Sequence, residues 1–153
     1  MSRATPSIRR GRRTDFTATM AVLAAAGVPV PPPDRATLHR FRNIVADLGA
    51  DFYVAVEAGT VVGVLHVTYN RRLTTAARAH VDLLCVTPAH RGRGVGAALL
   101  HFARRRAGGR GCAVLVHDLA AGNDAGRRLL ARHGLQPQAE TWVLPLTPEG
   151  TDG

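Results

Sequence analysis

A mixed α/β fold, one largely antiparallel sheet with helices on both faces, is the fold class that the sequence predicts. Three observations predict it. Helical and strand periodicities follow one another in the order β-α-α-β-β-β-α-β-α-β, which a doubly wound parallel sheet does not produce. Ala58 and Gly59 sit as a two-residue turn between two apolar runs, the mark of an antiparallel hairpin. The chain has 153 residues, 46% of them apolar and 5% aromatic, enough for one domain with a core of Val, Leu and Ala and no disulfide or metal staple.

The elements follow in order. Residues 7–12 read as a short first strand. Thr14 or Asp15 caps a helix to about Ala26, with Phe16, Met20 and Leu23 on one face. The run GVPVPPP over residues 27–33 is a rigid break. Asp34 caps a second helix to about Leu48, with Leu38, Phe41, Val45 and Leu48 on one side and Gly49 as its stop. Residues 52–57 and 60–69 form the hairpin, and residues 70–78 (NRRLTTAAR) are a polar loop. A strand is expected over 80–86, a loop over 87–93, and a helix over 94–107 stopped by Gly108 and Gly109. A strand over 112–119 comes next. Asn123 caps a helix to about His133, closed by Gly134. A last strand is expected over 141–146, and the tail after Pro148 frays.

Composition removes several function classes. All 20 basic residues are arginine, against 11 acidic ones, giving a formal net charge of +9. A chain without lysine has no Walker-type phosphate loop and no Schiff-base nucleophile. The positive balance favours anionic ligands over polycationic ones. The arginines are scattered without interleaved aromatics, which argues against nucleic acid as a partner. Cys85 and Cys112 each lie in an apolar run with no C-x-x-C, so they read as core residues, not metal or redox groups, in a cytoplasmic protein. No stretch reaches the length of a membrane span. Arg9 to Arg13 before residues 20–28 imitate a secretory signal, but Asp15 interrupts it and the periodicity is that of an amphipathic helix.

The strongest chemical signal is Val86-Thr-Pro-Ala-His-Arg91-Gly92-Arg93-Gly94-Val95-Gly96. A strand runs out at Val86, and three alternate glycines open a helix after the loop. Glycines let backbone amides turn toward one point and let a ligand approach closely. The helix start adds unpaired donors and the positive end of a dipole. With Arg91 and Arg93 the ensemble suits a pyrophosphate. A dinucleotide fingerprint requires G-x-G-x-x-G at the start of its domain, with an acidic residue about 20 positions on. Leu99 stands at the third glycine position, and too little chain follows for the further βα units, although Asp118 keeps a trace of that rival.

Arg91-x-x-Gly94-x-Gly96, preceded by Val86-x-Pro88, resembles the coenzyme A pyrophosphate loop of the GNAT superfamily of N-acetyltransferases. Asn123-x-x-Gly126-x-x-Leu129-Leu130-x-x-x-Gly134-Leu135 resembles that family's Asn-x-x-Ala-x-x-Leu-Tyr-x-x-x-Gly-Phe segment. The likeness is specific over residues 79–135 and extends loosely across the chain. It implies one N-acetyltransferase domain over 1–153, with a cofactor half at about 79–135 and an acceptor half at about 7–78. It implies strands splayed apart at 80–86 and 112–119, with the pantetheine arm of acetyl-CoA pairing along Leu84, Cys85 and Val86. It also implies phosphate contacts from the amides of Arg91, Gly92, Arg93, Gly94, Val95 and Gly96, and a cofactor contact at Asn123 that is compatible with a plain helix cap. The implied reaction is acetyl transfer to a primary amine of a small molecule, peptide or protein, without a metal, by a monomer or homodimer. The rival function is a non-catalytic module of the same fold that senses acyl-CoA or binds nucleic acid.

Such a transfer needs a base, because a primary amine with a pKa near 10.4 is neutral only about one part in a few thousand at pH 7. His80 and Asp82 fall on one face of the strand, at positions where some members of the resembled family carry a Glu. His117, in an apolar slot between Leu115 and Leu119, is the third candidate. The sequence leaves open which of them acts. Leu130 stands where the family often has a Tyr that protonates the leaving thiolate, and His133 at the helix end reads as a cap.

Overall fold

The computed structural model describes residues 5–146. The expected frayed tail after Pro148 lies outside them. Five strands form one sheet in sequence order: β1 (Ser7–Arg10), β2 (Asp51–Glu57), β3 (Thr60–Asn70), β4 (Arg78–Val86) and β5 (Val114–His117). The first four pair antiparallel, and β5 runs parallel to β4. Four helices accompany them: α1 (Phe16–Ala25), α2 (Arg35–Ala46), α3 (Val95–Gly109) and α4 (Asp124–Arg132). The mixed sheet with helices on both faces is as expected.

The hairpin between β2 and β3 turns through Ala58 (φ 49°) and Gly59 (φ 77°), the two left-handed residues of a tight turn that matches strand twist. Alternation along these strands feeds two cores. On one face Val22 of α1 and Phe41 of α2 pack on Phe52, Val54 and Val64. On the other, α3 lays Val95, Leu99, Ala103 and Ala107 over Ala55, Leu65, Val67, Ala79 and Val81. These α3 positions recur at four-residue spacing, a stripe facing the sheet. Gly63 permits the approach, since a Cβ there would stand 3.0 Å from Leu99 Cδ1 and 3.2 Å from the Cys85 carbonyl.

Several boundaries differ from expectation. Asp15 does not cap α1; its carboxylate accepts the Arg12 amide at 2.7 Å and pairs with Arg9 at 2.8 Å. The buried face of α1 is Thr19 and Val22. Asp34 does cap α2, accepting the Thr37 amide at 2.9 Å. That helix stops at Ala46 because Asp47 is extended and takes the Gly49 amide on its own carboxylate, and Leu48 is left exposed. Gly108 and Gly109 lie inside α3. The stop is Gly111 (φ 73°), where Cys112 donates to Ala107 and Gly111 to Gly108, a Schellman closure that needs the left-handed residue one position past the cap. The same closure at Gly134 ends α4 as expected.

The strand expected over 112–119 contracts to β5. The strand expected over 141–146 is absent: those residues have no regular structure, and Trp142, Val143, Leu144 and Leu146 are exposed. Their composition suits a strand, but a strand exists only by pairing, and none of the described strands takes them as a neighbour.

Candidate functional site

The site begins with an irregularity in β4. Against β3, His66 pairs with Leu83 and Val67 with Val81, so Asp82 has no partner and forms a bulge. A bulge bends and twists its strand. Up to it, β4 pairs with β5, ending at Val81 opposite His117. Past it, residues 83–86 pair only with β3, and their other edge meets none of the described strands. The splay expected between these strands therefore starts at Asp82, and Leu84, Cys85 and Val86 lie along the unpaired edge. Burial pushes the Cys85 thiol up, partly offset by Arg91, so it stays a neutral core group.

The bulge also re-aims side chains. Before it, Ala79 and Val81 face α3; after it, Leu84 and Val86 face α3 and Leu83 and Cys85 face α1 and α2. His80 and Asp82 come together, with His80 Nδ1 3.9 Å from Asp82 Oδ1. The other nitrogen, Nε2, lies 3.0 Å from Asp118 Oδ2. His117 is on the α3 side with Leu115 and Val81, and its Nδ1 donates to the Asp118 carbonyl at 2.7 Å. Burial lowers its basicity, with Asp118 opposing. The three candidate bases thus divide into a His80–Asp82 pair on one face and His117 on the other.

Two residues that were not among the candidate bases join them. Asp118 has the contact with His80. His66 on β3 is half-buried beside Phe52, its basicity lowered by burial and raised in opposition by Asp82 and Asp47. Asp118 was visible as an acidic residue at a strand end, but its partner 38 positions earlier depends on the parallel register, which puts His80 beside Val116.

The loop after β4 is pinned from below. The Thr87 amide donates to the Val62 carbonyl at 2.9 Å, and Thr87 Oγ1 meets His90 Nδ1 at 2.9 Å within the 3₁₀ turn Pro88–His90. His90 Nε2 lies 3.4 Å from Glu57, at the tip of the β2–β3 hairpin, and Arg93 approaches the same carboxylate at 3.9 Å. Gly92 (φ 72°) and Gly94 (φ 85°) are left-handed, with nothing within 4 Å of where a Cβ would stand. Gly94 is the residue before α3, and Ala98 is the first helix amide with a carbonyl acceptor, to Gly94 at 2.9 Å. Among the described residues no acceptor is found for the amides from Gly92 to Ala97. That row, with Arg91 and Arg93 beside it, presents donors and positive charge of the kind that suit an anion.

At the adjoining helix, Asn123 Oδ1 accepts the Gly126 amide at 2.9 Å, so it caps α4 and keeps its amino group for other use. Gly126 leaves the room: a Cβ there would meet Leu119 Cδ1 at 2.7 Å. Gly96 faces Leu129, which ties α4 to the mouth of α3. Leu130 is buried and has no proton to give. His133 Nδ1 donates to the Leu129 carbonyl at 2.9 Å, a helix-end cap as expected. Among the described residues no His, Cys, Asp and Glu cluster could hold a metal ion, and no helix is long and apolar enough to cross a membrane.

Comparison with known proteins agrees with this arrangement. The model of the Acetyltransferase (GNAT) family matches residues 15–135. A mycothiol acetyltransferase of Nocardiopsis dassonvillei is 36% identical over 99 residues, 65% of this chain and 28% of that protein. The aligned part thus spans little more than a quarter of the curated relative. Among solved structures, a transcriptional regulator from Bacillus halodurans C-125 superposes with a TM-score of 0.83 at 23% identity, covering 92% of this chain and 99% of that one. AAC(6')-Iy in complex with the bisubstrate analogue CoA-S-monomethyl-acetylneamine superposes with a TM-score of 0.79 at 17% identity, covering 94% and 99%. At these identities the solved structures speak for the fold.

Proposed function

The chain belongs to the GNAT acetyltransferase family, and from that premise we propose that it transfers an acetyl group from acetyl-CoA to a primary amine of a small molecule, peptide or protein, with His80 as the base. The observation that carries the reading is the bulge at Asp82. It parts β4 from β5, leaves the edge at Leu84, Cys85 and Val86 unpaired, and sets His80 at the head of the gap.

The residues present fit coenzyme A. Its diphosphate suits the undonated amides of Gly92 to Gly96 and the Arg91 and Arg93 guanidiniums; its amide-bearing arm suits the free strand edge; the Asn123 amino group is available beside them. Bound acetyl-CoA supplies a thioester carbonyl open to an amine. This chain's share is to hold that carbonyl beside the strand edge and to take the amine's proton. His80 Nε2 is engaged by Asp118, so the neutral ring accepts at Nδ1, beside Asp82, whose carboxylate attracts the cationic form of the incoming amine. Residues 7–78 would frame the acceptor and residues 79–135 the cofactor.

A thiol-release assay over a panel of amines tests the reading, together with melting in millimolar acetyl-CoA, which should raise Tm if the folded state binds it. No thiol release on any amine and no rise in Tm would overturn it. Leu130 favours a second reading, a module that binds acyl-CoA without turnover; that outcome would be a raised Tm with no thiol release.

Replacing Arg91 and Arg93 together with alanine should weaken acetyl-CoA binding by about a hundredfold or more, since each guanidinium bond to a phosphate contributes on the order of 1.5–3 kcal/mol and about 1.4 kcal/mol is tenfold. The urea midpoint should stay nearly unchanged, because both side chains are exposed and the Arg93–Glu57 approach is a surface pair. Equal losses in binding and in stability would contradict the assignment.

A further inference from the structure

Asp118 touches both histidines that flank the end of β5, through two different atoms. Its carboxylate Oδ2 stands 3.0 Å from His80 Nε2, and its main-chain carbonyl takes His117 Nδ1 at 2.7 Å. Carboxylate and carbonyl oxygens only accept, so His80 carries hydrogen on Nε2 and His117 on Nδ1. In the neutral rings the lone pairs are then on His80 Nδ1 and His117 Nε2. We propose that Asp118 is the positioning residue of this site: its side chain holds the His80 ring so that Nδ1 faces the gap beside Asp82. The inference rests on the reading of His80 as the base.

The placement follows from topology. Parallel pairing sets His80 beside Val116 and stops at His117, so Asp118 is the first residue of β5's exit and lies on the His80 side of the sheet. The charged and titratable groups around His80 come from each neighbour: Asp82 from its own strand, His66 beside Asp82 from β3, and Asp118 and His117 from the end of β5. Of the two carboxylates only Asp118 is within hydrogen-bonding distance; Asp82, at 3.9 Å, leaves space in front of Nδ1. A ring held at one nitrogen and open at the other is the arrangement in which a third group orients a base.

The test is a double-mutant cycle joined to an imidazole spectrum. Asp118→Ala should lower kcat about tenfold, short of the loss of the base itself, with the acceptor KM unchanged. His80→Gln combined with Asp118→Ala should be no slower than His80→Gln alone, since the side chain acts only through the ring. In ¹⁵N-edited spectra of wild-type protein without ligand, hydrogen-bonded N–H signals are expected from both His80 and His117. Asp118→Ala should remove the His80 signal to solvent exchange and leave that of His117, whose acceptor is main chain. That second signal also reports that the fold is intact. An unchanged His80 signal, or losses that multiply in the double variant, would overturn the proposal. Wild-type protein that acetylates no amine would instead overturn the proposed reaction, while the spectrum would still judge the contact.

Discussion

Replacing His80 with glutamine should reduce kcat/KM for an amine substrate by about 10²–10⁴-fold, the usual contribution of a general base, and leave acetyl-CoA binding unchanged. Glutamine fills a similar volume and can still donate to Asp118, so the strand and its neighbours should stay in place. The rate loss would then isolate the ring's capacity to accept a proton. The same measurement on His117→Gln should give a far smaller loss. His117 is on the α3 side of the sheet, its Nδ1 is committed to the Asp118 carbonyl, and burial keeps it neutral. Asp82→Asn should raise the acceptor KM more than it lowers kcat, because the carboxylate attracts the cationic amine and does not carry the proton away. Losses ordered the other way, with His117 dominant and His80 dispensable, would move the chemistry to the opposite face.

What could be read in the sequence was what local chemistry dictates. Gly92, Gly94 and Gly96 read as glycines that free the backbone of a loop, and two of them, Gly92 and Gly94, take the left-handed conformation that side chains rarely adopt. Asn123 and Asp34 read as caps because their side-chain oxygens can accept from an amide three residues on, and both do. What could not be read depends on register. The bulge at Asp82 is one unpaired residue in a strand whose composition looks regular. It switches the face of the residues that follow, while His80 and Asp82 stay together as expected, and it places the start of the splay. The contact between His80 and Asp118 spans 38 positions and exists only because β5 returns parallel at one offset. Gly108 and Gly109 misled because glycine is tolerated inside a helix when its own face is exposed and a better closure waits at Gly111. Residues 141–146 misled because composition can propose a strand but only a neighbour can make one.

Nothing in the local sequence sets Asp51 apart, and yet its removal should have the largest effect on stability. The residue opens β2, is 1% exposed, and lies among cationic and phenolic groups from three other elements. Arg106 of α3 binds it in a fork, at 3.0 and 2.9 Å; Arg110 reaches it at 3.2 Å; Tyr69 of β3 donates its hydroxyl to it; Arg10 of β1 stands at 4.0 Å. The arginines are in turn stacked on rings, Arg110 4.3 Å from the Tyr69 centroid and Arg106 5.8 Å from that of Tyr53. One carboxylate therefore fastens the C-terminal end of α3 to the start of β2 and the end of β3, which fixes the direction in which the helix mouth points at the other end. Asp51→Ala should cost about 3 kcal/mol in urea denaturation, the lower end of the range for breaking a buried ion pair, because the arginines keep water on their outer sides. Burial alone would push the Asp51 carboxyl up, but Arg106, Tyr69 and Arg110 outweigh it and hold it below the usual carboxylate range. A depressed folded-state pKa stabilises above the unfolded value near 3.9 and loses that contribution as pH falls through the folded value. Wild-type stability should accordingly drop more steeply than that of Asp51→Ala below about pH 4. Two curves that stay parallel through that range would show that the carboxylate contributes by packing and not by charge.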